Sequence, residues 1–455
     1  MMISAATYRL LPQNHQCRTA RHVRRCPIYA SLKEKGGVFG EMMGFERPLF
    51  FSKRVAASND STLVTDDEMG SGKGGTVSSG SLAPFWFGDV ATEYEACRQR
   101  VGLIDMTNFS KFEITGHESD VVSYLQHLCS SDVDRPVGSV IYTGMQNEQG
   151  GYATDCTLSR IAPNTYFMVA PTVQQVRCKQ WLLEHLPSSG RVHVSDVTSM
   201  FTALNVIGPS SRALLADLTD QPVNPTDFPA FACKEICVGY APNVRAVSVT
   251  HTGELGWVLY IPTEYAPAVY EDIVSAGKEY GLKHAGYYAL RFLRIEKFFV
   301  YWGQDIDAST TPLECGRDFR VSFNKQFIGS EALLKQRSEG VTRRYVQLLV
   351  SGHDPHADPW PQGGEPIYRD GQFCGWTTSA CYGFTLGCHT CLGYVVDQDP
   401  STGTRRVISQ NWLLDKRAQY EVEIASRRYA VRLNLHSPQL PMVSSEHPQH
   451  YMATR

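Results

Sequence analysis

Several things are scarce in this sequence, and each scarcity removes a class of protein. No apolar run approaches the ~20 residues that a membrane-spanning helix needs. Charge of one sign is not in excess: 43 Lys and Arg stand against 46 Asp and Glu, a formal net charge of −3. No global field therefore favours nucleic acid or an anionic membrane. Complete catalytic motifs are missing as well, with no H-E-x-x-H helix, no nucleophile elbow and no Ser-His-Asp order. Acidic residues are absent before Glu34, while Arg9, Arg18, Arg21, Arg24 and Arg25 fall in that stretch. A basic, acid-free start has the character of a mitochondrial targeting segment, or of a basic linker. Pro12 and Pro27 interrupt any long amphipathic helix there.

The 13 cysteines show no framework spacing, so reduced thiols are expected rather than a disulfide scaffold. Cys374, Cys381, Cys388, His389 and Cys391 bunch together. Cys388-x2-Cys391 offers half of a zinc site, and the second C-x2-C that would complete it is lacking, so no metal is expected. A literal G-x-G-x-x-G runs from Gly70 to Gly75, yet neither a buried strand precedes it nor a helix follows. It is rejected as a dinucleotide site. Lys73 is followed by glycine, so it also fails as a P-loop.

What is present is ordinary for a globular chain: 455 residues, 42% hydrophobic and 20% charged, enough for about two to three domains. Residues 1–55 combine the basic start with an aromatic-bearing segment, Ala30 to Phe51, of folded character. Residues 56–83 are small, polar and Gly/Ser-rich, a flexible linker. From 84 to 339 strands alternate with amphipathic helices, including one with Val90, Tyr94, Cys97 and Val101 at helical spacing and one carrying Val173, Val176 and Trp181. Residues 340–442 are short strands and turns, the pattern of a small β-barrel, and 443–455 form a tail. The fold class is therefore α+β, closed by a β-barrel domain.

The most informative stretch is Val140 to Ile161, two extended segments around Gly150-Gly151. Paired glycines reach positive φ without a Cβ penalty and suit a tight reversal. Asp155 lies in the second segment, placed either to meet a ligand's N–H groups or to cap the turn. Ser248 to Ile261 repeats the plan of strand, glycine-bearing turn and strand.

The strings YTGMQNEQGGYATDCTLSRI, THTGELGWVLYIP, LRIEKFFVYWGQDI with TPLECG, FIGSEALL and GEPIYRDGQFCGWTTS occur in this order. Together they resemble the tetrahydrofolate-binding aminomethyltransferase family, over roughly Pro84 to Pro441. That family includes the glycine cleavage T protein and the C-terminal halves of dimethylglycine and sarcosine dehydrogenases. The resemblance implies a folate-binding domain in which Asp155 meets the ligand near its reacting nitrogens, Tyr142 is the motif's tyrosine and Arg294 the arginine of a later helix. In that helix the alternative role for Arg294 is a surface ion pair. The segment before residue 56 looks like the one that closes the FAD-dependent oxidase domain of the dehydrogenase branch. That oxidase domain is not in this sequence, so the chain has the character of a truncated or alternatively started product and FAD is not expected. Its first ~15 residues need not then be a presequence.

One departure weighs on the functional expectation. The family's second acid comes directly after T-G-E-x-G-W/F, and here that position is Val258. Valine accepts no hydrogen bond, and burying a ligand N–H without a partner costs ~1–3 kcal/mol. Glu254 is retained four residues away, too far along the chain to act from the same spot. Tetrahydrofolate binding is thereby weakened, and no catalytic residue is assigned. SLKEKGGVFGEMMGFERPL, HAGYYALRFLRIEKFF and TTPLECGRDFRV are similar to a regulatory branch of the family, that of the mitochondrial pyruvate dehydrogenase phosphatase. This resemblance implies a non-catalytic module in the mitochondrial matrix whose partner is the phosphatase catalytic subunit. The alternative is a tetrahydrofolate-dependent aminomethyl or one-carbon transferase.

Overall fold

In the computed structural model the described residues are 21–54, 82–399, 401–438 and 440. Gly70–Gly75, Arg9 and Arg18 lie outside them. The chain opens with a helix Tyr29–Glu34 and a hairpin of β1 (Gly37–Met42) and β2 (Phe45–Phe51). Three of the basic residues of the start are built into this fold. Arg21 Nη2 donates to Glu46 Oε2 at 2.7 Å, Arg24 stacks on Phe45 with its guanidinium carbon 3.5 Å from the ring centre, and Arg25 lies over Tyr29.

After the helix Phe87–Gln99 come β3 (Gly102–Asp105), β4 (Ser110–Gly116), the helix Glu118–Leu128, β5 (Val140–Gln146), β6 (Tyr152–Ala162), β7 (Thr165–Ala170), the helix Gln175–Glu184, β8 (Val192–Asp196) and β9 (Phe201–Ile207). The helix Ser211–Leu218, β10 (Cys233–Val238), β11 (Ala241–Val247), β12 (Gly256–Pro262), the helix Ala266–Ala276, β13 (Lys283–Ala285) and the helix Tyr287–Glu296 complete the first part. One sheet has the order β10-β11-β12-β9-β3-β13 and the other β5-β6-β7-β4-β8.

The period-2 alternation of the strands decides what each face meets. In β12, Trp257, Leu259 and Ile261 pack against Leu214, Val269 and Ile273 of two helices. Val258 and Tyr260 face the other way, into a core shared with Phe167 and Val169 of the second sheet. The outer face of that second sheet is covered by Val121, Leu125, Cys178 and Leu182. The expected face of the helix Gln175–Glu184 is corrected here: Val176 is 71% exposed, and the short i,i+4 stripe of Cys178 and Leu182 does the packing.

A helix Ser330–Glu339 leads into β14 (Arg343–Val350), β15 (Pro366–Arg369), β16 (Gln372–Gly383), β17 (Cys388–Gln398), the short β18 (Arg405–Arg406), the helix Gln410–Leu413, β19 (Tyr420–Ile424) and β20 (Arg427–Asn434). The order β14-β20-β19-β15-β16-β17 closes through β14–β17 pairing, giving a six-stranded barrel with β18 appended. The expected α+β fold with a terminal barrel is what the chain adopts. The central core joins all parts: Leu49 and Phe50 of β2, Tyr288 and Leu293 of the last helix of the two-sheet part, and Tyr345, Cys381 and Leu392 of the barrel belong to one buried cluster. The hairpin of β1 and β2 thus shares a core with both the two-sheet part and the barrel.

Candidate functional site

The hairpin of β5 and β6 is pinned as much by a neighbouring loop as by its own turn. Gly150 has φ +83°, as a tight reversal requires. Gly151 is needed for a different reason: a Cβ there would stand 1.9 Å from the carbonyl oxygen of Ala308. Asn147 Nδ2 donates to that same oxygen at 2.8 Å, and the Tyr152 N–H donates to Thr310 O at 3.0 Å. Residues 307–310 therefore clamp the turn.

This clamp orients one face of the hairpin. Asp155 lies directly across from Gly144. A Cβ on Gly144 would collide with Gln146 Nε2 and the Tyr152 ring, so the glycine leaves room in which those groups sit beside the carboxylate. Tyr142 donates its hydroxyl to Asp155 Oδ2 at 2.7 Å. The other oxygen, Oδ1, is buried and has no partner, as is the whole amide of Gln146. Burial pushes the Asp155 carboxyl up to about 6, although the Tyr142 hydroxyl pulls it down. Arg320 closes this side, its guanidinium carbon 5.1 Å from the Tyr142 ring centre. Unpaired donors and acceptors of this kind, around an accessible aromatic, are what a ligand-binding wall presents.

Val258 lies on the opposite sheet, 1% exposed, and directly across from Asn205 of β9. The amide of Asn205 is fully buried and makes no hydrogen bond. The sequence carries a signal for it, an Asn inside the apolar run TALNVIG, but only pairing with Val258 gives that signal meaning. Gln146 is the second residue that sequence reasoning passes over, since nothing in its neighbours marks it as buried.

Glu254 is committed elsewhere. It is 1% exposed and accepts from Arg98 Nη1 at 3.0 and 3.1 Å and from Lys297. Burial pulls Lys297 down to about 8 against the attraction of Glu254. The segment 248–255 is accordingly a loop drawn onto these cations, and the expected second hairpin pairs β11 with β12 instead. Arg294 is corrected in the same way. It is 3% exposed and not on a helix surface: it donates to Asp305 Oδ2 at 2.5 Å, Phe299 O at 3.0 Å, Gln304 Oε1 at 2.9 Å and Ser379 Oγ at 3.2 Å. Ser379 belongs to β16, so Arg294 ties its helix to the barrel. The structure brings Tyr142 and Asp155 together and leaves Arg294 without a free donor face.

The cysteine and histidine cluster divides between two cores. Cys374 and Cys391 point into the barrel, Cys381 into the central core. The twelve cysteines among the described residues are free thiols. A cavity of about 640 Å³ opens on the outer side of the turn, lined by His127, Asn147, Trp181, His185 and Ile328 among others, and Asp155 is not part of it.

Residues 28–325 match the GCVT N-terminal domain and residues 343–438 the glycine cleavage T-protein C-terminal barrel domain. The chain belongs to the glycine cleavage T-protein family. It is 42% identical, over 96% of its length, to the mitochondrial pyruvate dehydrogenase phosphatase regulatory subunit of Mus musculus, of which it covers 48%. It is 31% identical, over 95% of its length, to the mitochondrial sarcosine dehydrogenase of the same organism, again covering 48% of that protein. The chain thus spans about half the length of these curated relatives. Among solved structures it is similar in fold to the glycine cleavage system aminomethyltransferase T from Bartonella henselae, with a TM-score of 0.69, 20% identity and coverage of 91% of this chain and 97% of that one.

Proposed function

We propose that this member of the T-protein family is a non-catalytic regulatory module acting on a pyruvate dehydrogenase phosphatase catalytic subunit in the mitochondrial matrix. The observation that carries the proposal is the 42% identity over 96% of the chain to a regulatory subunit of that phosphatase. The same relative, named mitochondrial, supports the mitochondrion as the organelle.

The lack of catalysis rests on the site. Tetrahydrofolate, which the family implies, needs acceptors for its N–H groups on both walls. The wall of Asp155 offers one, in the unpaired Oδ1. At Val258 the opposite wall offers an apolar side chain, and Arg294 is consumed by Asp305, Gln304 and Ser379. The residues present fit the cofactor on one side only. A folate-dependent one-carbon transferase is the second reading, favoured by the unpaired Asp155 oxygen.

Titration with tetrahydrofolate separates the two. The regulatory reading expects weak binding by the wild type and a gain of about ten- to a hundredfold in Val258→Glu. Micromolar binding by the wild type, with methylene transfer from an aminomethyl donor, favours the transferase.

A further inference from the structure

Residues 305–314 are tied to the barrel at both ends and to the hairpin of β5 and β6 in the middle. At the first end the buried carboxylate of Asp305 accepts from Thr378 and Ser379 of β16, and its carbonyl accepts from the Tyr394 hydroxyl of β17 at 2.8 Å. At the second end Glu314 O accepts from Tyr345 N at 3.0 Å, and Leu313 O from Arg344 Nη1 at 2.6 Å. Both donors belong to β14.

One carboxylate folds the middle. Asp307 Oδ1 accepts from Ser309 N at 2.8 Å, Ser309 Oγ at 2.7 Å and Thr310 Oγ1 at 3.1 Å. The tight turn so made presents the Ala308 carbonyl to Asn147 and the carbonyls of Asp307 and Thr310 to Tyr152 N, at 3.2 and 3.0 Å. The N–H of Tyr152 is thus spent on this segment and not on the partner strand. The pairing of β5 with β6 also shifts register between Met145 and Gln146, which weakens the ladder beside the turn. The turn end of the hairpin therefore depends on residues 307–310 for its backbone bonds.

Arg343, the first residue of β14, joins this middle to the barrel. Its Nη2 donates to Ser309 O at 2.6 Å, Thr310 Oγ1 at 3.3 Å and Glu314 Oε2 at 3.0 Å. A single guanidinium thus holds the folded middle and the second anchor at once.

We infer that residues 305–314 are a strap that transmits the position of barrel strand β14 to the turn of the β5–β6 hairpin, with Arg343 as its positioning residue. A shift of β14 draws Arg343 off Ser309 O and loosens the fold of the middle. The bonds to Tyr152 and Asn147 then open, while the strand pairings of both sheets persist. Such local opening is the two-state element that coupling between distant parts requires. A contact made on the barrel is felt in this way at the strand that carries Asp155. The strap acts whether or not the chain contacts a phosphatase.

The test is hydrogen exchange of the full chain followed by mass spectrometry, in peptides covering residues 145–155, β12 and β19. Arg343→Met is expected to speed exchange in 145–155 at least tenfold and to leave β12 and β19 at wild-type rates. Asp307→Ala loosens the middle of the strap without touching the barrel and is expected to do the same, so it decides the matter if Arg343→Met does not fold. Arg343→Lys falls between Arg343→Met and wild type, because an ammonium cannot reproduce the planar fork. Arg428→Met removes a barrel arginine whose guanidinium carbon lies 3.7 Å from the Tyr368 ring centre, and it leaves 145–155 unchanged. The inference is overturned if 145–155 keeps its wild-type rate in Asp307→Ala or in folded Arg343→Met. It is equally overturned if Arg343→Lys exchanges as fast as Arg343→Met, or if Arg428→Met speeds this peptide as much as Arg343→Met does.

Discussion

Asp155 is a carboxylate kept at a cost. Its folded-state pKa is raised from 3.8 to about 6 by burial, so between these values the unfolded chain releases the proton first. Stability therefore falls as pH rises from about 4 to 6, and the loss is complete above about 6. Asp155→Asn keeps an acceptor for Tyr142 and removes the ionisation. It is expected to be more stable than wild type by about 2–3 kcal/mol at pH 7 and equal to it at pH 4, as urea unfolding at the two pH values would show. A gain that does not change with pH refutes this assignment. Asn205 is a second cost. Replacing an unpaired buried amide by an apolar group relieves its desolvation, so Asn205→Val is expected to raise stability by ~1–3 kcal/mol, read as a higher urea midpoint at unchanged slope. At this scale the sequence showed Tyr142, Asp155 and Val258 through their place in motifs. It did not show Gln146 or Asn205, because what marks them is the lack of a partner, which exists only once strands are paired.

Among the elements, the helix Tyr287–Glu296 carries the connection between the two-sheet part and the barrel. Arg294 reaches Asp305, Gln304 and Ser379, and Asp305 in turn accepts from Thr378 and Ser379 of β16 at 2.5 and 2.8 Å. Arg294→Met leaves Asp305 buried without its cation and is expected to cost ~3–5 kcal/mol. Arg294→Lys recovers part of this, because one ammonium cannot reach the four acceptors a planar fork reaches. Urea unfolding of the two variants checks both statements. The hairpin of β1 and β2 has the same standing: Phe50 is fully buried, stacked on Tyr288 at 6.0 Å and edge-on to Phe85 at 5.7 Å. Phe50→Ala is expected to cost ~3–5 kcal/mol. Element types were legible where periodicity is strong, as in β12 and the barrel strands. The face of Gln175–Glu184 was not, since Val173, Val176 and Trp181 imitate an apolar stripe while Cys178 and Leu182 meet the sheet. The burial of Arg294 was not legible either, because its partners lie in a loop and a barrel strand far along the chain.

For the whole molecule, the fold of the T-protein family is retained, and Val258, where the resemblance implies a second acid, is packed into the central core. The family was visible from ordered motifs and the barrel from its short strands and turns, whereas the central core that unites β2, the helix Tyr287–Glu296 and the barrel required the structure. The proposed regulation of a phosphatase expects this fold to be kept without transfer of one-carbon units. The decisive experiment titrates the purified chain into the pyruvate dehydrogenase phosphatase catalytic subunit and records release of phosphate from phosphorylated pyruvate dehydrogenase. A regulatory module produces a saturable change in rate with added chain. A rate that stays constant at every ratio of chain to catalytic subunit would refute the regulatory role.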